Sequence, residues 1–118
     1  MQSRDKSIIE HIVKYCEEIE NELNAIDRNK DRYLESNVYK NSFALCILQI
    51  GELVGLLSEE YKNLNKEVDW RSIKTMRNVV AHKYGAFDFD VLWETITEDV
   101  PELYNYCKMR LEAFDEGE

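Results

Sequence analysis

The chain has 118 residues, a mass of 14.0 kDa and a formal net charge of −9, which fits one domain spanning residues 1–118 with a core that needs neither disulfides nor metal. One Pro and four Gly are too few turn residues for an all-β sandwich. No apolar run approaches the roughly 18 residues of a membrane span, and the opening MQSRDKSIIEHI lacks the apolar stretch of a signal peptide, so the expected location is the cytoplasm.

The first predicted helix runs from about Asp5 to Ile26. Ile8, Ile9, Ile12, Val13, Cys16, Ile19, Leu23 and Ile26 recur at spacings of three and four, the stripe of an amphipathic helix, with Ser3 and Asp5 as candidate N-caps. Residues 27–36 read as a polar connection with room for one short turn. The second helix, about Asn37 to Leu57, has a centre (FALCILQIGELVGLL) that is apolar on nearly all sides, so it should be surrounded by protein. Gly51 and Gly55 are four apart, and a face without side chains there would admit a second helix closely. Glu52 interrupts the apolar field and reads first as a rim residue. Residues 58–67 read as a polar segment that includes a loop.

Asp69 is a candidate N-cap for a third helix from about Trp70 to Tyr84, with Trp70, Ile73, Met76 and Val80 on its apolar side and Gly85 as the residue that closes it. A fourth helical stretch begins near Asp88 or Asp90 and reaches about Phe114; Pro101 should bend or split it. The predicted fold class is all-α, an up-and-down bundle of four to five helices.

Cys16, Cys46 and Cys107 are far apart, no CxxC occurs, and His11 and His82 are distant in sequence, so no metal site is expected and buried thiols are the plain reading. The charge is unevenly spread. Residues 66–84 hold 5 basic and 2 acidic side chains, whereas residues 85–118 hold 2 basic and 10 acidic. Lys66, Arg71, Lys74, Arg77 and Lys83 therefore mark the window where an anion would bind. The plainer alternative is that they balance neighbouring carboxylates.

Within that window residues 77–84 read Arg-Asn-Val-Val-Ala-His-Lys-Tyr. On an ideal helix Asn78 and His82 share a face and Arg77 and Tyr84 share another, while Arg77 and His82 stand about 140° apart. They can still converge on a ligand, because the arginine is long, if the helix ends at His82 or if a second copy completes the site. Arginine grips phosphate through its planar fork, histidine titrates near neutrality, and Asn78 is placed to orient the imidazole. These groups suffice for RNA cleavage without metal: a base for the ribose 2′-OH, an acid for the leaving oxygen and a cation for the phosphorane. A capping histidine and a surface arginine are the plainer reading of the same residues.

The R-N-x-x-x-H-x-Y pattern at a helix end resembles the motif of the HEPN superfamily, and the Tyr two residues after His resembles its HepT family. RDKSIIEHI, ILQIGELV and the segment from Val68 to Tyr104, in that order, are HepT-like as well, so the resemblance covers nearly the full chain. It implies a dimeric endoribonuclease toxin with no cofactor, paired with an MNT-type nucleotidyltransferase antitoxin. It also implies Arg77 and His82 as the cleaving pair, Asn78 as support, Arg71, Lys74 and Lys83 along the RNA, and Tyr84 as the residue to which the antitoxin attaches AMP. The alternative is a non-catalytic helical subunit that binds nucleotide or substrate for a nucleotidyltransferase.

Overall fold

Ile8, Ile9, Ile12, Val13, Cys16, Ile19 and Leu23 are buried along one side of α1, Ser3–Ala25, in the computed structural model, which describes residues 1–117. The stripe marked by sequence spacing is the side that meets the core. Neither Ser3 nor Asp5 caps this helix: the N-cap position belongs to Gln2, which makes no capping bond. Asp5 is instead 3 % exposed, and its carboxylate accepts from the Ser58 backbone N–H at 2.9 Å and the Ser58 hydroxyl at 2.7 Å. Ser58 is the N-cap of α4, Glu59–Leu64, its Oγ accepting from the Tyr61 N–H at 3.0 Å. One buried carboxylate thus ties the start of α1 to the start of α4. That tie, with Tyr61 buried beside Trp70, makes a helix of the first part of the polar 58–67 segment, and the expected loop follows it before Trp70.

The 27–36 connection likewise contains a short helix, α2, Lys30–Glu35, capped by Asn29. Its Tyr33 is fully buried, and the hydroxyl donates to the Phe89 carbonyl at 2.7 Å. Next comes α3, Asn37–Leu56, capped by Ser36. It lies between α1 and the fifth helix, α5, Trp70–Lys83, and buries Phe43, Ala44, Ile47, Ile50 and Val54. It is not enclosed on all sides, however: Val38, Leu45 and Leu56 are 76 %, 56 % and 53 % exposed. The single chain leaves one apolar face of α3 open.

Asp69 caps α5 as expected, accepting from the Ser72 N–H at 3.0 Å, and the Trp70 indole N–H donates to the Asn65 carbonyl at 3.0 Å. Gly85 does not close this helix in a left-handed conformation. The chain tightens instead into a 3₁₀ turn, Tyr84–Ala86, and among the described glycines only Gly117 has positive φ. The last stretch comprises α6, Phe89–Glu94, a π turn, Thr95–Asp99, and α7, Val100–Asp115, without a break. Pro101 does not split it. The path widens into the π turn just ahead, and Pro falls in the first turn of α7, where its missing N–H is tolerated.

The long helices pack in the order α5, α3, α1, α7, an all-α up-and-down arrangement. No helix among the described residues is long and apolar enough to cross a membrane.

Candidate active site

The motif helix is set by one close approach. Gly51 of α3 is buried, and a Cβ added there would fall on the Cβ of Arg77 and lie 3.6 Å from the Arg77 Cα. A side chain at 51 would push the two helices apart, so glycine is what lets α5 seat on α3. The expected pairing of Gly51 with Gly55 holds only for the first: Gly55 is exposed, with nothing within 4 Å of its added Cβ.

Arg77 leaves this contact with its side chain 30 % exposed. Nη2 pairs with the carboxylate of Glu52, and Nη1 donates to Asn78 Oδ1 at 3.0 Å. Its Nε is buried and unpartnered. Glu52 is therefore an exposed rim residue, as first read, but also the fixed partner of the motif arginine. It sits next to Gly51, so the residue that admits α5 and the residue that holds its guanidinium are adjacent. With Glu52 exposed and Arg77 half-buried, the ion pair is worth about 1 kcal/mol at most.

His82 is exposed on the last turn of α5 and makes no hydrogen bond with any described residue. Asn78 turns its carbonyl to Arg77, not to the imidazole, because the guanidinium is the stronger donor within its reach. The helix continues through Lys83, so no early unwinding draws Arg77 and His82 together. Within one chain they diverge by about 140°, with Asn78 between them. Arg71 and Lys74 are exposed on the stripe that carries Asn78 and His82 and form no salt bridge among the described residues, whereas Lys83 lies on the flank near Val79 and Phe87.

Tyr84 is anchored. Its hydroxyl donates to the side-chain carbonyl of Asn41, in the first turns of α3, and its ring meets Phe89 edge-on at 5.7 Å. Partial burial pushes the phenol above its ordinary range. Arg77 and Tyr84, which share a face on an ideal helix, are held by different partners, because Tyr84 is clamped between α3 and α6. Nothing in the sequence pattern marks Asn41; its role depends on a contact 43 positions away.

All three thiols are buried, and burial pushes Cys46 and Cys107 up to about 12 and Cys16 further. They are protonated at neutral pH and offer no nucleophile. Glu18, Glu22 and Cys46 bring ligand atoms within 4.8 Å of one another on the α1–α3 face. The protonated thiol is a poor metal ligand there, and the group stands apart from the motif in sequence and on the fold.

The family model described as ribonuclease HepT-like matches residues 8–110. A relative in Caldanaerobacter subterraneus subsp. tengcongensis, provisionally named an RNase, is 29 % identical over 85 % of this chain and 88 % of its own length. One in Thermococcus cleftensis, provisionally named a ribonuclease HepT, is 39 % identical over 46 % of this chain and 49 % of its own. A third in Methanocaldococcus jannaschii, again provisionally an RNase, is 24 % identical over 87 % of this chain and 94 % of its own. No solved structure matches. With the match running from α1 into α7 across the whole motif helix, the chain belongs to the HepT-like ribonuclease family.

Proposed function

We propose that the chain is a metal-independent endoribonuclease toxin in which Arg77 and His82 act on the scissile phosphate. The observation that carries this reading is the mounting of Arg77: a guanidinium held at the α3–α5 contact by a glycine cradle, a partly exposed ion pair and Asn78. Relatives bearing RNase names support the substrate class. A base takes the proton of the ribose 2′-OH, whose oxygen attacks phosphorus. The P–O5′ bond breaks, an acid protonates the departing 5′-oxygen, and a 2′,3′-cyclic phosphate remains. Arg77 balances charge on the phosphorane, and His82 carries the proton. Arg71, Lys74 and Lys83 hold flanking phosphates.

The active form is a homodimer. One chain holds Arg77 and His82 on diverging faces, and the open apolar stripe of α3, Val38, Leu45 and Leu56, runs past Glu52. A copy that covered this stripe would bring a second motif beside the first and supply the missing geometry. In this reading the protein works in the cytoplasm and its partner is a cognate MNT-type nucleotidyltransferase antitoxin that transfers AMP from ATP to the Tyr84 oxygen, releasing pyrophosphate. The nucleotide would place a phosphodiester of charge about −1 near the motif and repel RNA. The transfer requires Tyr84 to leave Asn41. The Glu52–Arg77 pair favours a second reading, a non-catalytic partner subunit of the nucleotidyltransferase, because it occupies the phosphate cation.

Expression of the chain alone separates the two. A catalyst arrests growth and leaves cyclic-phosphate ends, and His82→Ala or Arg77→Ala lowers cleavage by about 10²–10⁴-fold with helicity intact. Undiminished cleavage by the His82 variant, or its loss in EDTA, overturns the mechanism.

A further inference from the structure

On the flank of α5 opposite Asn78 and His82, a groove of about 530 Å³ opens between this helix and the π turn with the start of α7. Its floor and walls are apolar, with Ile50 of α3, Ile73 and Met76 of α5, and Val100 and Leu103 of α7. Its rim carries Glu67 and Asp69 on one side and Asp99 and Glu102 on the other, and no basic side chain lines it. Glu67 and Asp69 are engaged, accepting from Tyr106 at 2.7 Å and from Ser72 at 2.8 and 3.0 Å. The side chains of Asp99 and Glu102 have no hydrogen bond or ion pair among the described residues. Partial burial, with Glu102 and Glu94 nearby, pushes the Asp99 carboxyl above its ordinary range. The π turn that spaces these groups along the wall is a feature that often accompanies functional positions.

We propose that this groove docks a partner protein through a basic amphipathic segment, with aliphatic anchors on the apolar floor and Lys or Arg side chains against the four rim carboxylates. Two helices that flank an apolar trough form the geometry in which such a segment lays its anchor residues. Nucleic acid is excluded by the sign of the rim. A second copy of this chain does not fit. Its Arg71–Lys74–His82 stripe exposes no large apolar residue, and the exposed apolar residues lie on other helices: Leu34 on α2, Val38, Leu45 and Leu56 on α3, Leu64 on α4, Val91 on α6 and Met109 on α7. The chain's own C-terminal residues, DEGE, carry the wrong charge. The proposal is independent of RNA cleavage, because the groove and the motif occupy different flanks of α5.

The test is fluorescence anisotropy with the full chain and a labelled 14-residue helical peptide of Leu and Lys, its leucines at i, i+3, i+4 and i+7. Asp99→Asn combined with Glu102→Gln, both exposed, should weaken binding by about two- to thirtyfold. Glu112→Gln combined with Glu116→Gln removes the same charge elsewhere and should leave it unchanged. Replacing the peptide leucines with serine should abolish binding, each anchor being worth about tenfold or more. Equal weakening by the two double variants, or undiminished binding of the serine peptide, would show attraction to net charge alone and overturn the proposal. A change in self-association caused by Asp99→Asn/Glu102→Gln without peptide, read by sedimentation, would make a second copy the occupant and overturn it too.

Discussion

Alanine at Gly51 and alanine at Gly55 separate helix propensity from helix packing. Gly51 lies well inside α3 and Gly55 in its last turn, so each substitution gains intrinsic stabilisation of up to about 1 kcal/mol. At Gly55 the new methyl meets nothing within 4 Å, the gain is realised in full, and the melting temperature should rise by up to about 4 °C. At Gly51 the methyl falls on the Cβ of Arg77 and close to its Cα. Those atoms cannot swing aside as a side-chain tip would, so α5 must move relative to α3. Overpacking of this kind costs about 1–3 kcal/mol. The propensity term largely cancels between the two variants. What remains is chiefly the packing cost, a gap of about 4–12 °C with Gly51→Ala the lower. Thermal melts followed by circular dichroism at one protein concentration measure it. Equal rises for both variants would mean that α5 does not seat on Gly51, and the mounting of Arg77 derived from that contact would fall with it.

Glu52→Gln leaves an acceptor beside Arg77 but removes the competing charge. In a His82→Ala background it should tighten binding of intact RNA by about two- to fivefold, and a filter-binding assay that shows weakening would assign Glu52 to RNA binding instead. Asp5→Ala strands the Ser58 N–H and hydroxyl, so we expect a loss of about 1.5–3 kcal/mol and about 6–12 °C; a melting temperature within 2 °C of the parent (roughly 0.5 kcal/mol) would show that the α1–α4 tie contributes little. Burial holds protons on Cys46 and Cys107 up to about 12, above the ordinary thiol value of 9.0. Stability is therefore fully present below pH 9 and declines as the pH rises toward 12, by up to about 1.4 kcal/mol per pH unit for each group. Helicity should stay constant to pH 9 and then fall cooperatively, and Ellman's reagent should find no reactive thiol in the native chain at pH 8; rapid labelling there would contradict the burial.

The long helices were legible because their signal is local. The α1 stripe repeats every three to four residues over six turns, and each of its buried positions is buried for the reason its spacing implies. The short helices α2 and α4 were not, because neither holds enough apolar residues to show a period. Each is held by one buried tyrosine and by polar bonds to distant residues: Tyr33 to the Phe89 carbonyl, and Ser58 to Asp5. Asp5 misled for the same reason. A carboxylate near a helix start reads as that helix's own cap, and only the folded chain reveals that it serves the N-terminus of another. Pro101 was read through its missing N–H, and the π turn that accommodates it has no sequence signature of its own.

At the candidate site, the residues were legible and their partners were not. Arg77, Asn78, His82 and Tyr84 fall in eight consecutive positions, and helical arithmetic places each on its face without a structure. What holds Arg77 and Tyr84 comes from α3: Gly51 and Glu52 under the arginine, and Asn41 on the tyrosine hydroxyl, 25 to 43 positions away in sequence. The angular divergence of Arg77 and His82 persists in the folded chain, because α5 stays helical through Lys83 and no early unwinding turns the two toward each other. If Arg77 and His82 act together on one phosphate, as proposed, a single copy is either inert or completed from outside. The open stripe of Val38, Leu45 and Leu56, exposed on the helix that holds Arg77, gives completion by a second copy a surface on which to occur.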